Sequence, residues 1–84
     1  MLFRSDVALT EGWFRAYAAL AYHRVGRTVE AIDLIGKVHP AARFEVNFNQ
    51  VFMDINTELQ KAKGLIALGT YVEYLIQKIG RAHV

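Results

Sequence analysis

The longest regular signal in the chain is a row of apolar residues, Phe48, Phe52, Ile55, Leu59, Ala62 and Ile66, at spacings of four, three, four, three and four. Only a helix gathers such positions on one face, so this segment must lie against something apolar. Asn49, Gln50, Asn56, Thr57, Gln60, Lys61 and Lys63 fill much of the remaining circumference, giving one dry and one wet side. Phe44-Glu45-Val46-Asn47-Phe48 alternates with period two, but no second strand is available to pair with it. It therefore reads as the entry to the helix. Gly64 weakens the last turns, and Gly69 is expected to end them. Thr70 would then cap a final helix carrying Val72, Leu75 and Ile76.

Upstream, Val7 to Val25 carries two helical stripes, Leu9-Trp13-Tyr17-Leu20 and Phe14-Ala18-Ala21-Val25, which predict a helix buried on two faces. Thr10 with Glu11 offers a start, with Gly12 just inside it. Ala16, Ala18, Ala19 and Ala21 let a neighbouring backbone come close. Gly26 supplies the left-handed stop, with positive φ expected there. Thr28 is placed to cap a short second helix through about Val38, with Glu30 in its first turn, where the helix dipole favours an acid. Its apolar side is Val29, Ile32 and Ile35, with Ala31, Leu34 and Val38 beside them. Gly36 marks a close crossing or a frayed last turn, and His39-Pro40 breaks the element. A connection this short forces an antiparallel hairpin. The expected fold is all-α, about four helices in two consecutive antiparallel hairpins, arranged as a helical-repeat-like stack or a small bundle.

At 84 residues the chain suits one domain with a thin core. No cysteine is present, so disulfides and thiolate metal sites are excluded. No signal peptide and no run of about 18 apolar residues occurs, which makes a cytoplasmic location the default expectation. Both ends carry a further pattern. Leu2-Phe3-Arg4-Ser5 and Ile79-Gly80-Arg81-Ala82-His83-Val84 can be encoded by the constant adapter of short-read DNA sequencing, read in opposite orientations. Residues 1–5 are accordingly expected to be an artefactual leader, residues 78–84 an artefactual tail, and residues 6–77 a single helical domain or fragment of a longer protein. Without Arg4, Lys78 and Arg81 the ten basic residues fall to seven against eight acidic ones, and the formal charge moves from +2 to −1. Overall basicity then gives no ground for nucleic-acid binding.

Ala18-Ala19-Leu20-Ala21-Tyr22-His23-Arg24-Val25-Gly26-Arg27-Thr28-Val29-Glu30-Ala31-Ile32-Asp33-Leu34-Ile35 resembles a tetratricopeptide repeat, in which two antiparallel helices pack through small and aromatic residues around a glycine turn. The resemblance runs over about Arg15 to Val38. It places Ala19 and Ala31 at the small positions, Tyr22 at the aromatic position and Gly26 at the turn, with Ile35 and Val38 as apolar substitutes. Arg15 stands where an aromatic is usual and Arg43 where a closing proline would be. Gly69-Thr70-Tyr71-Val72-Glu73-Tyr74-Leu75 parallels Gly26 to Ile32 as a weak second copy, with bulky Tyr74 at a small position.

Candidate chemistry is sparse. Asp54 and Glu58 stand one helical turn apart without a histidine at the spacing of a helical carboxylate metal site, and read as a solvated acidic face. His23 lies near a helix C-terminus, where a structural role fits, and His39 reads as a turn residue. Trp13, Phe14, Tyr17 and Tyr22 with Arg15 and Arg24 have the spacing of core packing rather than of base stacking. Phosphate-binding loops, nucleophile elbows and His-Glu-x-x-His pairs are missing, so neither catalysis of its own nor a metal or cofactor is expected. The expected function is protein–protein interaction or scaffolding within a longer helical-repeat protein, through a groove between hairpins. A helical accessory subdomain cut from a larger enzyme is the alternative. Partners would be a protein or peptide, missing neighbouring repeats or a second copy, with neither nucleic acid nor membrane involved. Tyr22, Asn49, Asn56, Lys61 and Lys63 are the candidate contact residues.

Overall fold

The computed structural model describes residues 5–82, and the side chains of residues 7–81. Three α-helices form, α1 (Ser5–Arg24), α2 (Thr28–Gly36) and α3 (Val46–Ala82), with a 3-10 turn at Pro40–Phe44 leading into α3. The all-α class stands, and no strand occurs among the described residues. Four helices in two hairpins are not found. Of the adapter-like ends, Met1–Arg4 and His83–Val84 lie outside the described residues, while Ser5 belongs to α1 and residues 78–82 to α3.

Helix α1 does not start at Thr10 but runs unbroken through Gly12. The reason is tertiary. A Cβ on Gly12 would stand 3.2 Å from the Ala42 Cβ and 3.2 Å from the Phe48 ring, so the bare backbone is what lets that ring approach. Ala8, Gly12, Ala16 and Ala19 form the buried line of α1, with Leu9, Trp13 and Leu20 half-buried along its edge. One face is buried, not the expected two. Phe14 (71% exposed) and Val25 (72%) lie on the far side, because no second layer of helices covers them.

The turn after α1 follows from Gly26, whose φ of +87° is the left-handed value anticipated from the sequence. Its N–H donates to the His23 carbonyl at 3.1 Å, and the Arg27 N–H donates to the Tyr22 carbonyl at 2.8 Å. These two bonds are those of a Schellman stop. Thr28 is not the cap expected of it. Arg27 precedes the helix without a side-chain cap bond, and the Thr28 hydroxyl instead reaches back across the turn to His23 Nδ1 at 2.9 Å. Arg27 also pairs with Glu30, which holds that carboxyl below its ordinary range and raises the guanidinium above its own, through their hydrogen bond first and their charges second. Both side chains are exposed, so the pair is a surface feature.

Val38 is buried just past the end of α2, and His39 with Pro40 then opens the 3-10 turn, the Ala41 N–H donating to His39 Nδ1 at 3.1 Å. Arg43 ties this turn down: it donates to the Val38 carbonyl at 3.1 Å, and its guanidinium lies 4.8 Å from the Phe52 ring centroid. Glu45 accepts the Phe48 N–H at 2.7 Å, satisfying one of the free amides at the start of α3. The core gathers Ala16, Ala19, Ala31, Ile35, Val38, Ala42, Phe48, Phe52, Ile55 and Leu59. Phe48 is its hub, with the Trp13 ring at 5.0 Å and the Phe52 ring at 5.8 Å.

Helix α3 is where the expected architecture fails. It continues through Gly64 and Gly69 for 37 residues, so the second hairpin does not form. A glycine costs a helix interior about 1 kcal/mol relative to alanine, which discourages a helix without ending it. Gly26 is the only residue with positive φ among those described, and Thr70, expected to cap a new helix, donates its hydroxyl to the Ile66 carbonyl at 3.0 Å within the old one. The helix outruns its partners. Helices α1 and α2 cover it only as far as Ala62, and every described side chain from Lys63 to Arg81 is exposed. The result is a packed head of α1, α2 and the first half of α3, from which the second half projects as an arm, within extents of 64 × 25 × 20 Å.

Candidate functional site

The five contact residues expected from the sequence do not form one patch. Tyr22 is half-buried against the core, with the Arg27 guanidinium 4.5 Å from its ring centroid. Asn49 spends its amide on the Arg43 carbonyl at 2.7 Å, a structural use that its place on a wet face did not suggest. Asn56 is half-buried and accepts from Gln60 at 3.4 Å. Lys61 and Lys63 are exposed where the arm leaves the head.

The polar residues weighed for chemistry are divided as well. Asp54 is exposed and accepts from Gln50 at 2.9 Å. Glu58 turns one oxygen, buried and without a hydrogen bond, toward His23 Nε2 at 3.9 Å. Through Thr28 and Glu58, His23 links the end of α1 to the start of α2 and the middle of α3, a structural position. Leu20, Arg24, Asp54, Ile55 and Glu58 line a shallow cleft beside it, with a cation and carboxylates together. Among the described residues no group of three or more His, Cys, Asp or Glu side chains could hold a metal ion.

The arm carries a different kind of surface. Leu65, Leu68, Val72, Leu75 and Ile79 follow one another at three, four, three and four, with Ile76 beside them. Their exposures run from 36% at Leu75 to 68% at Leu65. At 100° per residue this stripe is rotated roughly a third of a turn from the line of Phe48, Ile55 and Leu59 that meets the head. On the arm the core line itself continues as Ile66, exposed against expectation, and then as Gly69, Glu73 and Gln77. The two apolar faces of α3 therefore point in different directions. Sequence reasoning noticed Val72, Leu75 and Ile76 but assigned them to a separate helix; carrying the spacing across Gly69 would have found the whole stripe.

Among the described residues no helix is long and apolar enough to cross a membrane. Set against protein-family models, curated proteins and solved structures, the chain matches none.

Proposed function

We propose that the chain is a protein–protein interaction segment without catalysis of its own, in which the packed head holds an apolar helical arm out for a partner. The observation that supports this is the arm stripe: large aliphatic side chains along one side of a helix, exposed from Leu65 to Ile79 and turned away from the head. Isolated apolar side chains on a surface are ordinary, whereas a contiguous row marks an interaction surface. A helix of this kind is recognised by an apolar groove or by a second helix reading positions three and four apart. Tyr22, Asn49, Asn56, Lys61 and Lys63 belong to this proposal as secondary contacts, with Lys61 and Lys63 the more available because they are exposed beside the arm. The tetratricopeptide-like reading is kept for the first hairpin alone, supported by Ala19 and Ala31 buried on either side of the Gly26 turn.

A display selection with a library of helical peptides tests the function. The chain should enrich peptides with apolar residues three and four apart, and the variant Leu68→Glu/Val72→Glu/Leu75→Glu should lose them while its head melts as before. Peptides that bind both chains equally would place recognition elsewhere.

A further inference from the structure

We infer that the partner of the arm is a second copy of this chain, the two arms pairing antiparallel along Leu65, Leu68, Val72, Leu75 and Ile79. The inference rests on the reading of the arm as an interaction surface and names what occupies it; Ile79, which falls in the adapter-like tail, only extends a seam that Leu65, Leu68, Val72 and Leu75 already form.

The spacing carries the first step. Alternating threes and fours are the seam of two helices wound about each other, in which each side chain enters a space between residues of a helix with the same repeat. Another copy of the arm supplies a helix with the same repeat. The other apolar row that reaches the surface, Phe14, Ala18, Ala21 and Val25 on α1, has the same spacing, but Glu11 ends it one turn before Phe14 and its two central members are alanines, which bring little area.

Charge carries the second step. Between Leu65 and Ile79 the ionisable residues with a full charge are Glu73 and Lys78, and both lie well around the helix from the seam. The seam itself is apolar throughout. Followed back toward the head, however, its line passes through Lys61, Glu58 and Asp54. In a parallel pair each would face its own copy, lysine against lysine and carboxylate against carboxylate. Antiparallel overlap of the 65–79 stripes leaves all three outside the seam and sets the two heads at opposite ends.

Area carries the third. A large aliphatic residue exposed by one-third to two-thirds presents on the order of 100 Å². The five seam residues and Ile76 from each copy bring on the order of 1,000 Å² together, the lower bound of a specific interface. The dimer is therefore weak, forming at micromolar concentration and above.

Sedimentation of the full chain over a concentration series, with residue-level hydrogen exchange at the lowest concentration, tests the inference. The expected result is a reversible monomer–dimer equilibrium that Val72→Glu weakens at least tenfold while leaving the head's melting temperature in place. Since this sequence has no cysteine, orientation is read from single-cysteine variants under mild oxidation. Val72→Cys, at the centre of the overlap, should crosslink, and Leu65→Cys should not. Efficient crosslinking through Leu65→Cys would overturn the antiparallel arrangement. A monomer at millimolar concentration would overturn the second copy as partner. In that case rapid exchange over residues 65–79 leaves the arm open to a different protein, whereas strong protection there in the monomer means that it packs on the head, and the proposed function falls with the dimer.

Discussion

The two halves of α3 share one backbone and a similar apolar content, yet the first half is the spine of the core and the second has every described side chain exposed. The difference lies in phase. Up to Ala62 the apolar row from Phe48 keeps to the side on which α1 and α2 lie; beyond it only Ile66 stays in that phase, exposed, and the row that starts at Leu65 runs roughly a third of a turn away. A helix can be amphipathic along its whole length and still be usable by its own fold over only part of it. Where the apolar line leaves the intramolecular partner, burial has to come from another molecule. Among the glycines Gly12 alone is pressed by its neighbours, at the packed crossing of the head; a Cβ on Gly64 or Gly69 in the arm, like one on Gly26 or Gly36, would meet nothing within 4 Å.

Truncation at Phe48 should break the head most completely. Its ring is fully buried, and Phe48→Ala should cost about 3–5 kcal/mol, enough to unfold a domain of this size. Thermal melts followed by Trp13 fluorescence will show it. In the arm, Leu68→Ala should shift the same melt by no more than about 0.5 kcal/mol, since Leu68 is 55% exposed. Similar losses at both positions would erase the distinction between the halves.

Overfilling the tight crossing comes next. Gly12→Val adds a Cβ that would stand 3.2 Å from both the Ala42 Cβ and the Phe48 ring, and should destabilise by about 1–3 kcal/mol although valine suits a helix better than glycine. Gly26→Val is a backbone test without crowding. With φ at +87° and open space around the position, a loss of about 1 kcal/mol or more is expected, measured by urea denaturation. An unchanged midpoint would mean that the turn tolerates a β-branched residue and that the stop signal lies elsewhere.

The smallest effect is the sharpest in sign. Gly69→Ala should stabilise the arm helix by about 1 kcal/mol locally, slowing its amide exchange, with no shift in the melting of the head. Had Gly69 been the left-handed residue of a second hairpin, the same change would destabilise.

What the sequence disclosed and what it hid divide along the same line. The Gly26 turn, the break at His39-Pro40 and the row from Phe48 to Leu59 were all legible, because each rests on local geometry or on a period that the core uses. The purpose of Gly12 was hidden, and the helix start was placed at Thr10 just before it, because the reason for that glycine is a ring approaching from a different helix. Gly69 was misjudged because glycine permits a left-handed stop without requiring one, and no third helix stands near to reward it. Asn49 looked like a wet-face residue until the Arg43 carbonyl came within reach, a contact created by the 3-10 turn. The candidate surface itself was half visible, since Val72, Leu75 and Ile76 were noticed while their continuity with Leu65 and Leu68 was cut by the supposed stop.

A single distance tests whether α3 is one helix with a projecting arm. Gln50 and Gln77 are exposed and 27 positions apart, and the absence of native cysteines allows spin labels at Gln50→Cys and Gln77→Cys alone. Measured by pulsed electron resonance with labelled chain diluted in excess unlabelled chain, a continuous helix predicts a separation of about 40 Å at 1.5 Å per residue. A helix turned back at Gly69 would bring the labels to about 20 Å, and that result would contradict the arm.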